Sequence, residues 1–260
     1  MSYLIFDIET IPDLKTAKSL FDIDAKTPEV ALQAVEALRQ HDAGTTFQKH
    51  FLHEIVAISV IFEEGERLEC RSLGEVGDSE AVLLKQFFGV IDKYEPTLVS
   101  WNGSGFDLPV IHYRALKHGI VGKTYWDNGY FDKDFKWSNY LSRYHERHLD
   151  LMDVLASYSN RAFASLNDIA KLLGLPGKMD VEGSQVSDLY LQGKVQEIRD
   201  YCETDVLNTY LIFLRFELIR GRINHESYRI KTEIVQKFLR ESEQKHFQDF
   251  LSLWSSCRIG

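Results

Sequence analysis

The first apolar segment of the chain is interrupted by two acidic residues. Residues 3–9 read Tyr-Leu-Ile-Phe-Asp-Ile-Glu, and only Asp7 and Glu9 are charged. A short run that is apolar on both faces is typical of a central strand covered on both sides. Because residues two apart in a strand point to the same face, the sequence predicts that Asp7 and Glu9 lie side by side. Two like charges in an apolar environment are unfavourable unless something compensates them.

The rest of the pattern alternates between strand and helix periods. It predicts an α/β fold with a mixed five-stranded sheet, flanking helices and a helical C-terminus. A turn at 63–66 joins two of the strands as a hairpin, and residues 120–147 are expected to be irregular. The expected strands cover 3–9, 55–62, 67–73, 97–101 and 148–154, and the expected helices cover 29–39, 79–93, 107–118, 166–173, 195–220 and 226–250.

The pattern contains no internal repeat and no low-complexity linker, so we expect one main domain over residues 1–220. Residues 10–50 are longer than a direct connection needs and are interpreted as an insertion that covers the site as a lid. Residues 221–260 are interpreted as a helical extension packed on the same domain, with docking on a protein partner as the alternative.

Composition and charge narrow the classes of protein. The chain has 260 residues, of which 44% are hydrophobic, and no run long enough to span a bilayer. With no signal peptide and only three widely spaced cysteines, we expect a cytoplasmic protein that does not contact the membrane. The net charge of −9, from 30 basic and 39 acidic residues, argues against a nucleic-acid coat protein but leaves a local basic groove open.

Further carboxylates occur where a buried pattern predicts none. Asp107 begins a predicted helix after a Gly-containing turn, where helix capping is the simpler interpretation. Asp205 shares a helix face with Tyr201, which on its own is typical of a solvated face. Asp150 and Asp153 are the weakest candidates, since both acids can face water.

A divalent cation would compensate these charges. The carboxylates of Asp7, Glu9, Asp107 and Asp205 are hard oxygen ligands, which suit Mg²⁺ or Mn²⁺ better than zinc. Their four negative charges balance two divalent cations, which would let an acidic protein accept a phosphodiester. The sequence has no P-loop, GxGxxG, HExxH or GxSxG pattern to suggest another chemistry.

Three segments together resemble the motifs of the tyrosine-type DEDD 3′–5′ exonuclease superfamily, and most closely those of the proofreading exonuclease domain of family-B DNA polymerases. Asp7-Ile8-Glu9 matches D-x-E, 102–107 matches N-x₂₋₃-(F/Y)-D, and 201–205 matches Y-x₃-D. Residues 165–169 resemble a fourth, (S/T)-L-x₂-hydrophobic motif, and fit a capping box equally well. The resemblance covers about 3–215, implies an RNase H-like fold, and indicates a stand-alone relative without polymerase motifs.

The resemblance also implies an activity and residue roles. It implies a two-metal 3′–5′ exonuclease on single-stranded nucleic acid, DNA favoured over RNA, that releases nucleoside 5′-monophosphates. Asp7 would bridge both Mg²⁺ or Mn²⁺ ions, Glu9 and Asp205 would complete the nucleophile-side ion, and Asp107 would hold the other ion through waters. Tyr201 would orient the attacking water by a hydrogen bond, since a phenol is mostly protonated at neutral pH.

Substrate contacts and two alternative functions complete the sequence-based hypotheses. Residues 130–148 interleave aromatic and basic residues, as either a single-strand groove or a folded aromatic loop does. An RNA or oligoribonucleotide exonuclease of the same fold remains open, and so does an inactive nucleic-acid-binding module, against which the complete set of carboxylates argues. The expected substrate-binding residues are Thr10, Ile11, Asn102, Phe106, Ser165 and Leu166, although Phe106 fits a core position equally well.

Overall fold

A five-stranded sheet forms the centre of the protein. The computed structural model describes residues 2–179 and 183–257. The strand order is β3-β2-β1-β4-β5, with β2 antiparallel to β1 and β3, and with β4 and β5 parallel to β1. This order confirms the mixed five-stranded sheet and the RNase H-like fold. The strands are β1 (Ser2–Pro12), β2 (His53–Glu64), β3 (Arg67–Ser72), β4 (Thr97–Ser100) and β5 (His148–Asp150).

Helices cover both faces of the sheet and complete the chain. The first two belong to the segment between β1 and β2, and the last two follow the long helix α9. The helices are α1 (Leu14–Phe21), α2 (Pro28–Ala43), α3 (Glu80–Tyr94), α4 (Asp107–His118), α5 (Lys123–Trp126), α6 (Leu151–Leu155), α7 (Leu166–Leu172), α8 (Val186–Leu191), α9 (Val195–Ile219), α10 (His225–Glu241) and α11 (Lys245–Cys257).

The two faces of β1 contact different helices. Leu4, Phe6 and Ile8 pack in the core that includes α3 and α4, whereas Ile5 packs in the core formed with α9. Since side chains alternate along a strand, the odd-numbered Asp7 and Glu9 extend the row that begins with Ile5, on the face that α9 covers. The alternation therefore directs both acids toward α9.

Two predicted elements end before the positions that the pattern predicts, and side-chain hydrogen bonds explain both. The strand expected over 148–154 ends at Asp150, because the Asp150 side chain accepts a hydrogen bond from the Met152 N–H and starts α6. The helix expected over 226–250 is broken into α10 and α11. There the Gln248 side chain donates to the Leu239 and Ser242 carbonyls and satisfies the end of α10.

The last two helices pack on the domain itself. Phe247, Phe250 and Trp254 of α11 are buried in the core that contains α9, and Val235 and Leu239 of α10 join them. These contacts attach α10 and α11 to the same apolar core as α9. No helix in 2–179 or 183–257 is long and apolar enough to cross a bilayer.

A buried ion-pair network fastens α1, α3 and α4 together. The Arg114 guanidinium on α4, 1% exposed, donates to Asp13 at 2.5 Å and to both oxygens of Glu80 at 2.6 Å. Asp13 caps α1, and Glu80 also accepts from the Ile55 N–H of β2. This network holds the segment that follows β1 against α4, the helix that begins with Asp107.

Candidate metal centre

Four carboxylates from three elements meet at the carboxyl end of β1. Asp7 and Glu9 come from β1, Asp107 from the first position of α4, and Asp205 from the middle of α9. Glu9, Asp107 and Asp205 are 9%, 3% and 5% exposed. Like-charge repulsion from Asp107, Glu9 and Asp205 acts on Asp7. The structure therefore brings together all four acidic residues that the sequence singled out.

Asp107 is fixed to β1 by the strand's own backbone. The Ile8 N–H donates to Oδ1 of Asp107 at 3.1 Å. β4 pairs with β1 only from Tyr3 to Ile5, so this edge of β1 lies open farther along the strand. The Asp107 carboxylate accepts the hydrogen bond at a position on β1 that β4 does not pair with. This position, Ile8, lies between Asp7 and Glu9 in the strand.

The turn before α4 is held by a second buried acid. Asn102 adopts a left-handed backbone with φ of +65°, and Oδ1 of Asp150 accepts from its N–H at 2.9 Å. Oδ2 of Asp150 accepts from the Ser104 N–H at 2.8 Å. A Cβ on Gly103 would lie 2.2 Å from the Ser100 hydroxyl, so only glycine fits there. Asp150 thus positions the turn instead of facing water.

Asp153, the other weak candidate, is also buried. It is 6% exposed, and its Oδ2 accepts from the Arg143 guanidinium at 2.8 Å. The alternative in which both acids of this segment face water is therefore wrong. Their partners lie in the turn at 102–104 and in the irregular segment before β5, and neither contact is encoded by local spacing.

The carboxylates resist ionisation when no cation is present. Burial, followed by repulsion from Asp107, raises the pKa of Asp7 well above its usual range, and burial with repulsion from Asp205 does the same for Glu9. Burial raises the pKa of Asp107 to about 7 and that of Asp205 to about 6. The raised pKa values mean that the chain itself supplies too little positive charge to stabilise four ionised carboxylates at neutral pH.

The donor set fits a divalent cation. Oδ1 of Asp205 is buried without a hydrogen-bond partner among the described residues, although buried polar atoms normally have one. The neighbouring donors are carboxylate oxygens, which Mg²⁺ and Mn²⁺ prefer. The nearby Cys202 thiol lies 3.5 Å from Oδ2 of Asp7 and donates to it from the core side. A cation would satisfy both the unpartnered oxygen and the repulsion.

Tyr201 and Lys178 border the centre. Tyr201 is 5% exposed and lies close enough to Asp205 for the charge of that carboxylate to raise the pKa of the phenol. Burial and the surrounding carboxylates raise its pKa, so the phenol keeps its proton at neutral pH. The Lys178 ammonium lies 5.5 Å from the centre of the Tyr201 ring and lowers the pKa values of Glu9 and Asp205. Lys178 is the cation that this acidic centre has from the chain itself.

The loop that presents Lys178 is tied to two helices. The Asn208 amide on α9 donates to the Gly177 carbonyl and accepts from its N–H, and the Asn167 side chain on α7 accepts from the Lys178 N–H. Sequence analysis missed Lys178 because it belongs to no motif. The only local signal is the preceding Pro-Gly turn, which does not identify a partner.

The expected substrate-binding residues divide into two groups. The Thr10 hydroxyl and the partly buried Phe106 ring both contact His53, beside the carboxylates. Asn102 lies in the turn before Asp107. By contrast, Ile11 and Leu166 are buried in separate apolar clusters. Ser165 exchanges hydrogen bonds with Asp168 as the capping box that begins α7.

A second group of potential ligands includes two acidic residues that flank Tyr201 along α9. Asp200, Glu203 and His246 bring one donor atom each within 4.8 Å of one another. Glu203 accepts from the Ser72 N–H and hydroxyl, and its other oxygen meets the His246 ring at 2.9 Å. These contacts join α11, α9 and β3, so their role is structural.

The sheet with helices on both faces and an acidic centre at the end of its central strand define the class of RNase H-like nucleases. Residues 45–254 match a family model described as a predicted 3′–5′ exonuclease related to the exonuclease domain of PolB. This match covers more than half of the chain, so the protein belongs to this family of 3′–5′ exonucleases. Asp7 and Glu9 precede the matched range, and their place in the centre rests on the geometry.

Individual relatives are more distant. A DNA polymerase of Archaeoglobus fulgidus is 25% identical over 138 residues, which are 51% of this chain and 17% of the polymerase. The family B DNA polymerase of Pyrobaculum calidifontis is similar in structure with a TM-score of 0.49, at 15% identity over 81% of this chain and 24% of that chain. Exonuclease I in a product-bound structure gives a TM-score of 0.36, at 12% identity over 82% of this chain and 46% of that one.

Proposed function

We propose that the protein hydrolyses the phosphodiester bond at the 3′ end of single-stranded nucleic acid, with DNA favoured over RNA, and releases nucleoside 5′-monophosphates. The observation that carries this proposal is the meeting of Asp7, Glu9, Asp107 and Asp205 around an unpartnered buried oxygen. Membership of the exonuclease family supports the direction of hydrolysis. The preference for DNA follows from the resemblance to polymerase exonuclease domains.

The four carboxylates would hold two divalent cations, Mg²⁺ or Mn²⁺. When bound, such ions act as Lewis acids and stabilise the attacking and leaving oxygens of a phosphodiester. One oxygen of Asp107 accepts from the Ile8 N–H, so its other oxygen would be the one available to hold an ion. Oδ1 of Asp205 is the complementary vacant acceptor on the α9 side.

Tyr201 and Lys178 supply the polar groups that do not hold ions. Tyr201 keeps its proton because burial and the carboxylates raise its pKa, so its O–H remains available as a hydrogen-bond donor at neutral pH. It therefore serves to orient a water, and does not act as a base. The Lys178 ammonium supplies a positive charge for an entering phosphate.

The proposal is tested with single strands labelled at either end. DNA and RNA of one sequence are incubated with the wild-type protein, with Asp7→Ala, and with Asp249→Ala as a control at an exposed acid on α11. We expect stepwise shortening from the 3′ end with Mg²⁺ or Mn²⁺, no shortening with EDTA, and loss of activity only in Asp7→Ala. Faster hydrolysis of RNA would establish the oligoribonuclease alternative. Binding of 3′ ends without hydrolysis would establish the inactive module and overturn the proposal.

A further inference from the structure

Three aromatic rings meet beside the carboxylates: Phe47 comes from the segment between α2 and β2, His53 begins β2, and Phe106 directly precedes α4. The Phe47 ring centre lies 5.4 Å from that of Phe106 and 4.9 Å from that of His53. His53 and Phe106 meet edge to face at 5.1 Å. Phe106 directly precedes Asp107, and His53 contacts Thr10, which directly follows Glu9. This ring cluster therefore adjoins two of the acidic residues.

The segment that carries Phe47 is held in place by its own hydrogen bonds. The Thr45 hydroxyl accepts from the Phe47 N–H, and the Arg39 guanidinium on α2 donates to the Phe47 carbonyl at 2.8 Å. The His50 ring donates to the Gly105 carbonyl at 2.9 Å, which joins the segment to the turn before Asp107. Yet the Phe47 ring is 53% exposed. An ordered backbone thus presents an aromatic face to solvent.

The hydrogen bonds of His53 leave the cluster uncharged. Burial lowers the pKa of His53 to about 4, so the ring is neutral near pH 7. Its Nε2 faces the Gln48 carbonyl, which can only accept, so Nε2 carries the proton. Nδ1 therefore accepts from the Thr10 hydroxyl at 2.8 Å. The neutral His53 ring therefore places no charge next to Phe47.

A second pair of rings extends the aromatic surface away from the centre. Phe51 lies at 6.2 Å from Tyr113 of α4 in an edge-to-face contact, and the two are 37% and 49% exposed. Phe51 comes four residues after Phe47 in the sequence. It belongs to the short segment His50–Leu52, against which α4 packs. Rings are therefore available both next to the carboxylates and farther out along α4.

The flanking sequence is free of acidic residues. Residues 43–53 and 108–126 contain no aspartate or glutamate, although the chain has 39 acidic residues in total. Lys49 is exposed between Phe47 and Phe51. A phosphate backbone that follows these rings meets no like charge from either segment, in contrast to most of this acidic protein.

We propose that the surface formed by Phe47, Phe51, Phe106 and Tyr113 binds the bases at the 3′ end of the single-stranded substrate by stacking. This inference rests on the proposed function. Phe47 and Phe106 receive the base nearest the carboxylates, and Phe51 with Tyr113 receives a base farther from the 3′ end. Every base has a flat apolar face, so such a surface binds strands irrespective of sequence. The segment between α2 and β2 thereby belongs to the substrate site, and does not merely cover it.

The test compares strands with and without bases at the 3′ end. Binding of a 5′-fluorescent oligothymidylate is measured by anisotropy in EDTA, against the same oligonucleotide with abasic 3′-terminal positions. We expect Phe47→Ala and Phe51→Ala each to weaken binding of the first strand by about ten-fold, the effect of losing one stacked base. Binding of the abasic strand is expected to be unchanged. Phe47→Trp, which keeps a stacking face, is expected to bind as the wild type does.

Tyr144→Ala is the matched control, since its ring is 77% exposed but lies in the aromatic segment before β5. Weakened binding in Tyr144→Ala, with Phe47→Ala unchanged, would move the strand to that segment and overturn the proposal. Equal weakening of both strands in Phe47→Ala would show a structural role and also overturn it. The results distinguish failure of the proposed hydrolysis from failure of the stacking surface. If the wild type binds strands in a base-dependent way but never cleaves them, only the proposed hydrolysis is contradicted. Cleavage with no effect at Phe47 or Phe51 would contradict only the stacking surface.

Discussion

The N–H of Ile8 and the carboxylate of Asp107 are joined by a hydrogen bond of 3.1 Å, which registers α4 directly on the strand that carries Asp7 and Glu9. The bond uses a backbone donor that β4 leaves unpaired beyond Ile5. The bond brings no positive charge to Asp107, and burial still raises the pKa of this carboxyl to about 7. The same residue is thus a structural link and a candidate ligand, and the two roles can be separated.

Asp107→Asn separates them. The amide oxygen keeps an acceptor for the Ile8 N–H, while the ligand charge is lost. We expect the rate of hydrolysis to fall by about a thousand-fold or more, the scale seen when charge stabilisation of a transition state is removed. Thermal unfolding in EDTA is expected at an equal or higher temperature than in the wild type. A variant that is both inactive and clearly destabilised would show that the link, and not the charge, dominates.

Metal-free stability is expected to fall as the pH rises. The pKa values of Asp107 and Asp205 are raised to about 7 and about 6 in the folded protein, from 3.8 in the unfolded chain. Between about pH 4 and pH 7 the folded state holds more protons than the unfolded state, so the free energy of unfolding decreases across this window and is constant above it. Below about pH 4 these groups are protonated in both the folded and the unfolded state, so they cause no further change in the free energy of unfolding.

Urea denaturation in EDTA at several pH values measures this effect, with Asp205→Asn as the comparison because it removes one of the titrating groups. The stability of the wild type relative to Asp205→Asn should decline from about pH 4 to pH 7. Saturating Mg²⁺ at neutral pH should restore about 2–4 kcal/mol in the wild type, as expected for a ligand that binds only the folded state. No response to Mg²⁺ or Mn²⁺ would contradict the metal centre.

Tyr201→Phe is expected to lower kcat by about ten- to a hundred-fold with little change in KM, because only the orienting O–H is lost. Since burial and the carboxylates raise the pKa of Tyr201, the wild-type rate should show no alkaline limb from this phenol up to about pH 9. Initial rates across this range check both statements. A limb near pH 8 that disappears in Tyr201→Phe would indicate a base instead.

Lys178→Met tests the cation that, among the described residues, acts on both Glu9 and Asp205. The Lys178 charge lowers the pKa values of Glu9 and Asp205, and its loss removes an attraction for phosphate. We expect a higher KM for a short oligonucleotide, by about ten-fold, with kcat less affected. Lys171→Met, an exposed lysine on α7, serves as the control. A fall in kcat alone would place Lys178 at the reacting atoms.

Arg114→Met is expected to destabilise the fold by about 3 kcal/mol, since it removes the buried guanidinium that Asp13 and Glu80 share. The loss is at the lower end of the range for a broken buried ion pair, because Lys117 still pairs with Asp13 and His118 with Glu80. Chemical denaturation at neutral pH measures the change. Arg229→Met is the control, because that arginine is exposed and pairs only with neighbours on α10, where about 1 kcal/mol or less is expected. Similar values for the two variants would contradict the importance of the network.

Much of this architecture can be predicted from local sequence. The apolar run around Asp7 and Glu9 identified the central strand, and the helical spacing of Tyr201 and Asp205 placed both on one face of α9. These predictions succeed because period and burial are local properties. The mixed sheet followed from the order of such elements.

What local sequence could not provide are partners that are distant along the chain. The alternation around Asp150 allows a side chain that faces water, yet this carboxylate holds the backbone of the turn at 102–104. Lys178 and Phe47 have no motif, and their positions depend on Asn208 and Phe106, respectively. The break after Glu241 depends on the Gln248 amide. Each of these needs a tertiary contact that no spacing rule encodes.

The centre also determines when during synthesis the protein can act. The contact between Cys202 and Asp7 spans 195 residues of chain, and Asp205 lies farther on along the same helix. Since chains are made from the N-terminus at about 5–20 residues per second, β1 waits many seconds for α9. A partly synthesised chain therefore holds only part of its acidic set. The candidate metal centre is therefore complete only after α9 has left the ribosome and packed on β1.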